Sequence, residues 1–185
     1  EVETIDKNFD QVCAEARDRW NEMLSRIEVE GGTDEDKTKF YTGLYHALLG
    51  RGIANDVDGA YITNDKRIAK VVCGADGKPL YNHHNTDGIW GGFWNLTQLW
   101  TLAYPDIFEN YVQSTLDFSR HTSGWLHDGE AAGVYTNGVQ TNFQGLTAVA
   151  AYNAGVLKNI DVDYLWKVVY QNELGYENRP DGAGR

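Results

Sequence analysis

The sequence predicts an all-α chain built from antiparallel helical hairpins, on three observations. Apolar residues recur at helical spacing in six segments, short breaks join several of these segments into pairs, and two long Gly- and Asp-containing stretches lie between helices. Hairpins that present long loops suit part of an (α/α)6 toroid better than a simple bundle.

The first helix is expected over 6–27, where Phe9, Val12, Cys13, Ala16, Trp20, Met23, Leu24 and Ile27 keep the i, i+3, i+4, i+7 spacing of one face. Gly31 and Gly32 stop it, and Thr33 followed by Asp34, Glu35 and Asp36 supplies a capping hydroxyl and first-turn carboxylates for a second helix. That helix should bury Phe40, Leu44, Ala47 and Leu48. From Gly50 to about Thr86 the helical period disappears, and a short hairpin is expected where 68–73 and 79–81 flank the turn Gly74-Ala75-Asp76-Gly77. Helices resume over 89–103, after Pro105-Asp106 as far as about Arg120, over 141–156 and over 161–173, with a second long loop at 123–140. The tail over 175–185 is polar and Gly-rich, so a domain incomplete at its C-terminal end is expected, and the opening Glu1 reads as a cut or processed start.

Composition narrows the function classes. With 185 residues the chain can bury roughly two thirds of its unfolded surface. Six Trp and eleven Tyr beside a single Met make it aromatic-rich. A net charge of −11 without any basic stripe excludes nucleic acid as an expected partner and disfavours anionic membranes, while neutral ligands and cations remain compatible. No apolar run is long enough to insert in a bilayer. Cys13 and Cys73 are too few for a disulfide scaffold and permit a single bridge without implying it.

Two motifs in order carry a resemblance. Phe40-Tyr41-Thr42-Gly43-Leu44-Tyr45-His46, then Asp56-Val57-Asp58-Gly59-Ala60-Tyr61 and Asp65, resemble the Phe-Tyr-Thr-x-Leu-Tyr-His helix and Asp-x-Asp-Gly-x-Tyr loop of glycoside hydrolase family 92, the calcium-dependent α-mannosidases. The likeness continues through Tyr104-Pro105, 112–116 and Gly124-Trp125-Leu126. Where that family has Trp-Asp-Thr-Phe/Tyr-Arg this chain has Trp90-Gly91-Gly92-Phe93-Trp94, and its Gly-x-Leu-Pro reads Gly124-Trp125-Leu126-His127. The family's later Met-x-Gly motif has no counterpart around Asn137-Gly138. The chain is similar to a divergent member. The resemblance implies an (α/α)6 toroid joined to a β-sandwich, a calcium cofactor, an extracytoplasmic setting and inverting hydrolysis of α-mannosides. It places the acid and base, and the calcium ligands, outside this chain, whose partner is then the remainder of its own catalytic domain.

The residues themselves offer several candidates. Asp56, Asp58 and Asp65 share one loop and could ligate a hard cation, or simply make Asx turns. His83-His84-Asn85-Thr86-Asp87-Gly88-Ile89-Trp90 sets two imidazoles, a carboxylate and an indole at a helix start, where Asp87 is either a sugar contact or a cap. Trp90, Trp94 and Trp125 are platforms for the apolar face of a pyranose, or core residues. His127-Asp128-Gly129-Glu130 is an acid and base pair, or a solvated loop. The sequon Asn95-Leu96-Thr97 falls inside a helix and is incidental. His84, Asp87, Trp90 and Trp125 are taken as the contacts to a carbohydrate substrate, with no catalytic residue and no metal ligand assigned. The alternatives are an inactive carbohydrate-binding or scaffold protein, which Gly91 in place of an acid favours, and a self-contained helical interaction domain.

Overall fold

A computed structural model describes residues 4–121, 124–127, 130–131, 134–135 and 142–175; for 130–131 and 134–135 it describes the backbone. The chain divides into two compact units, Glu1–Gly50 and Arg51–Arg185.

The first unit is a pair of helices, α1 (Phe9–Leu24) and α2 (Asp34–Leu49). Each starts on a reciprocal capping box. Asn8 Oδ1 accepts from Gln11 N at 2.9 Å while Asn8 N donates to Gln11 Oε1 at 2.8 Å. Thr33 Oγ1 likewise accepts from Asp36 N, and Thr33 N donates to Asp36 Oδ2 at 3.0 Å. These boxes satisfy helix-end N–H groups that otherwise lack partners. The Thr33 backbone hydrogen bond, more than its hydroxyl, holds the Asp36 carboxyl below the usual carboxylate range. Helix α1 starts three residues later than expected because Asp6 is left-handed (φ 64°) and Asn8 takes the cap. The two helices meet through Trp20 and Tyr45, edge to face at 4.4 Å, and the Tyr41 hydroxyl donates to Ile27 O at 3.1 Å. The expected buried face of α2 is only partly realised. Leu44 is buried, Ala47 and Leu48 are half-buried, and Phe40 is 39% exposed. Two helices alone do not supply the neighbours that would cover a stripe four residues wide.

The second unit holds β1 (Ala60–Ile62), β2 (Ile68–Lys70), α3 (Ile89–Ala103), α4 (Pro105–His121), β3 (Glu130–Ala131), β4 (Val134–Tyr135), α5 (Phe143–Asn153) and α6 (Val162–Leu174). The chain is thus mostly helical, as expected, and the helix bounds lie close to the periodicity. The expected pairing of 68–73 with 79–81 is realised only next to its turn, where Leu80 N donates to Val72 O at 2.9 Å. Strand β2 pairs antiparallel with β1, Tyr61 opposite Ala69, whereas Cys73 and Pro79 form only an isolated bridge. Gly59 explains the Asp-Gly step that precedes β1: it is left-handed (φ 85°), and a Cβ there would stand 2.7 Å from Val71 Cγ2. The short β3–β4 ladder lies within the second predicted loop.

Helix α4 is the centre of this unit. Pro105 opens it at the first helical position, where its missing N–H costs nothing, and the buried Tyr104 links it to α3. Phe108, Tyr111, Val112, Leu116 and Phe118 are buried along it. Trp100 of α3 packs on Phe108 and Tyr111 with ring centroids 5.5 and 5.0 Å apart. Ser114, Thr115 and Ser119 are buried too, and their hydroxyls donate to the helix's own carbonyls. Helix α5 packs on α3 and α4, and α6 on α4 and α5. Asp161 caps α6 by accepting from Tyr164 N at 3.0 Å. Cys13 and Cys73 are both free thiols.

Candidate functional site

The segment 83–88 between the β1–β2 hairpin and α3 is irregular, so its backbone groups need partners from elsewhere. They have them. His83 O accepts from Ala54 N at 2.7 Å, His83 N donates to Asn55 Oδ1 at 2.6 Å and Asn85 N donates to Gly52 O at 3.1 Å. His84 N donates to Ser114 Oγ at 2.8 Å. The Tyr111 hydroxyl donates to Gln144 Oε1 at 3.0 Å, and Gln144 Nε2 donates to Thr86 O at 2.8 Å, all three residues being buried. The segment that delivers Asp87 to the start of α3 is therefore fixed on α4 and α5.

Arg51 completes this frame. It is left-handed (φ 58°), an uncommon state for a residue with a side chain. Its carbonyl accepts a hydrogen bond from His84 Nδ1 at 2.8 Å and its Nη2 donates to Gly88 O at 2.5 Å. The guanidinium fills the space that a side chain at Gly92 would need, since a Cβ there would stand 3.0 Å from Nη2. With Nδ1 carrying the proton, His84 offers Nε2 as an acceptor. Burial, the largest influence, pushes the His84 imidazole below its ordinary range against the opposing effect of the Arg51 carbonyl, so the ring favours its neutral form.

The four proposed contacts are placed unequally. His84 is buried with 6% exposure, and Asp87 is exposed. Gly88, left-handed and without a side-chain cap, holds the cap position of α3, so Asp87 is not its cap. Trp90 is 50% exposed on the outer face of α3, and Trp94, one turn on, is 69% exposed. Trp125 is 6% exposed and lies against Gly175, so its loop position does not leave the ring open. The side chain of Asn172 holds that loop by accepting from Leu126 N at 3.0 Å and donating to Leu126 O at 3.2 Å. The segment 83–90 thus buries His84 and leaves Asp87 and Trp90 exposed, while Trp125 belongs to a packed loop on α6. His127 is buried, whereas Asp128, Gly129 and the side chain of Glu130 lie outside the described residues, as do 136–141, where the Asn137-Gly138 comparison falls.

A second buried cluster supports the first. Asp117 accepts from the Tyr81 hydroxyl at 2.7 Å, from Gln113 Nε2 at 2.9 Å and from Arg120 Nη1 at 2.8 Å. Burial first, and then this bond to Asp117, raises the Tyr81 phenol well above its usual range. His83 stacks on Tyr61 at 3.9 Å, with its Nδ1 another 3.9 Å from Asp117 Oδ2. Sequence reading missed Arg51, Tyr111, Ser114, Asp117 and Gln144. Ser114 and Asp117 carried one signal, the run of polar residues over 113–119 within a helix pattern, which marks a buried network; Arg51, Tyr111 and Gln144 carried none.

The Asp56–Asp65 loop does not fit a cation. Asp58 accepts from Ala60 N and pairs with Lys70 Nζ, each at 3.0 Å, and the Lys70 bond chiefly holds its carboxyl below the usual range. Asp65 accepts from the Thr63 hydroxyl and pairs with Arg67. Among the described residues no group of three His, Cys, Asp or Glu could hold a metal ion. No described helix is long and apolar enough to cross a membrane.

Solved structures share this helical fold. A family GH92 α-mannosidase from Bacteroides thetaiotaomicron superposes with a TM-score of 0.79 at 19% identity, over 90% of this chain and 21% of its own. The same mannosidase in complex with mannoimidazole matches equally, over 93% and 22%. A family GH92 inverting mannosidase from Bacteroides thetaiotaomicron VPI-5482 gives a TM-score of 0.74 at 23% identity, over 96% and 26%. No curated protein sequence matches. The fold is thus that of a helical region of glycoside hydrolases. The signature of the glycosyl hydrolase family 92 catalytic domain matches residues 1–184, and the chain belongs to that family. It spans only 21 to 26% of the length of the solved relatives.

Proposed function

We propose that this chain forms part of the wall of an α-mannosidase active site, in a polypeptide that hydrolyses α-mannosides or related α-linked glycans with inversion. The family match over residues 1–184 is the observation that supports this reading most strongly. In it, the six helices are the opening part of an (α/α)6 toroid. The remainder of the catalytic domain is the partner of the exposed apolar faces, such as the one formed by Tyr152, Trp166 and Tyr170 on α5 and α6. The enzyme works outside the cytoplasm.

The sugar lies at the start of α3. His84 Nε2 accepts from a hydroxyl, the Asp87 carboxylate accepts one or two more, and Trp90 offers its face to the apolar side of the ring. Trp125 shapes the wall from behind, because it is buried. The acid and base belong to other parts of the polypeptide, as do the ligands of the calcium that this family is expected to use. Calcium, when bound there, would favour the distorted sugar from which an inverting displacement proceeds.

Asp87→Ala tests the placement. Asp87 is exposed and caps nothing, so the variant of the natural polypeptide should melt within about 0.5 kcal/mol of the parent. Its affinity for methyl α-mannoside in calorimetry should fall about tenfold, the worth of one charge-assisted hydrogen bond. Parent that binds no α-mannoside would sink the functional reading. Parent that binds and a variant that binds equally well would sink the placement alone.

A further inference from the structure

Arg51 holds a conformation that opposes stability in three ways. Its backbone is left-handed (φ 58°), a state that a side chain disfavours. Its guanidinium stands at the N-terminal end of α3, the positive end of the helix dipole, which favours anions. Its Nε is buried with no acceptor among the described residues. Local strain of this kind persists where the geometry that it sets is used.

What the conformation sets is the chain around Asp87. The turned backbone brings the Arg51 carbonyl to His84 Nδ1 and the side chain to Gly88 O, so that one residue grips the segment on both sides of Asp87. Gly88 O also accepts from Gly91 N at 3.2 Å, which ties the grip to the first turn of α3. The guanidinium needs two glycines to sit there. A Cβ at Gly88 would stand 3.4 Å from Nη2, and one at Gly92, a turn further on, would stand 3.0 Å from Nη2 and 3.2 Å from Cζ. Gly88 is left-handed, which alone accounts for a glycine. Gly92 lies inside α3, where glycine is a poor helix former, and the guanidinium is what accounts for it.

We propose that Arg51 is a positioning residue: its guanidinium, seated in the notch left by Gly88 and Gly92, fixes the 84–88 backbone so that His84 and Asp87 meet the sugar in one geometry. The inference rests on the carbohydrate reading above and adds to it a residue that touches no substrate and acts through His84 and Gly88.

The test uses Arg51→Gly and Gly92→Ala, alone and together, in the natural polypeptide that carries this chain. One readout needs no ligand: hydrogen exchange of the His84, Asn85 and Gly91 amides, which donate to Ser114 Oγ, Gly52 O and Gly88 O. The other is the calorimetric affinity for methyl α-mannoside. Arg51→Gly removes the grip and the left-handed strain together, so it should melt no more than about 2 °C before the parent. Exchange at the three amides should nevertheless rise about tenfold and the affinity fall about tenfold. Gly92→Ala displaces the guanidinium, so it should reproduce both losses alone and add nothing to them in the Arg51→Gly background. Arg51→Lys, which keeps one donor without the planar fork, should lie between parent and Arg51→Gly in both readouts. Unchanged exchange in Arg51→Gly would overturn the grip, and unchanged affinity beside faster exchange would overturn its role at the site. An Arg51→Gly protein that melts far earlier, with exchange rising throughout α3 and α4, would overturn the proposal too, because Arg51 would then serve stability. A parent that binds no methyl α-mannoside would instead remove the carbohydrate reading, and with it the role of the grip.

Discussion

Trp100→Ala is expected to destabilise the protein by about 4 kcal/mol, the range for emptying a buried tryptophan site. Trp100 is 2% exposed and packs α3 against Phe108 and Tyr111 of α4. Those partners also build the site, because the hydroxyl of Tyr111 orders Gln144 and through it Thr86. The cavity should therefore loosen the start of α3 as well as lower stability. Urea unfolding followed by tryptophan fluorescence checks the first effect, and sugar affinity of the folded fraction checks the second. Trp100→Phe, which refills most of the volume, should recover more than half of the loss. A loss below about 1 kcal/mol in the alanine variant would mean that α3 is held by something other than this aromatic contact.

Asp117→Ala comes next, with an expected loss of about 3 kcal/mol. The carboxylate is buried and is the shared acceptor for Tyr81, Gln113 and Arg120. Removing it strands the half-buried Tyr81 hydroxyl and the Gln113 amide, whereas the Arg120 side chain, 40% exposed, can turn to water. Asp117→Asn keeps an acceptor for Tyr81 and should lose roughly half as much. Chemical unfolding of the two variants separates these cases, and equal losses would show that the charge, not the geometry, stabilises the cluster.

Helix positions were readable because amphipathic spacing and capping chemistry are local. Thr33 with Asp36 and Asp161 mark helix starts that the structure realises, and α4 starts at Pro105 itself, just ahead of the expected restart. The hairpin was less readable. Ile68 has two plausible partners in the sequence, and the choice of Ala60–Ile62 depends on Gly59 letting Val71 approach, a contact twelve residues away. Burial on single faces was also poorly readable: a tryptophan in a helix pattern, Trp94, lies outside, and one in a Gly-rich loop, Trp125, lies inside. Periodicity states that a face is apolar without stating what covers it. Of the candidate site, the cluster 83–90 stood out through its residue types alone. Its supports did not, because Arg51, Ser114 and Gln144 reach it from 33, 30 and 58 residues away.

The motifs of α2 and the Asp58-Gly59 turn that carry the family resemblance serve structure in this chain: Leu44 and Tyr45 pack the first helix pair, and Asp58 and Gly59 shape a turn. Family membership rests on the match over residues 1–184, while the chemistry is proposed to lie elsewhere. The departures at Gly91 and Trp94 fall in the first turns of α3, directly after the proposed sugar contact Trp90.

The decisive measurement is the release of reducing sugar from α-linked mannosides by the intact natural polypeptide, with calcium and after its removal by a chelator. The account predicts release of mannose as the inverted anomer, abolished by chelation and restored by added calcium. An intact polypeptide that binds α-mannosides in calorimetry yet releases nothing in either condition would contradict it, and would make these helices the wall of a binding protein.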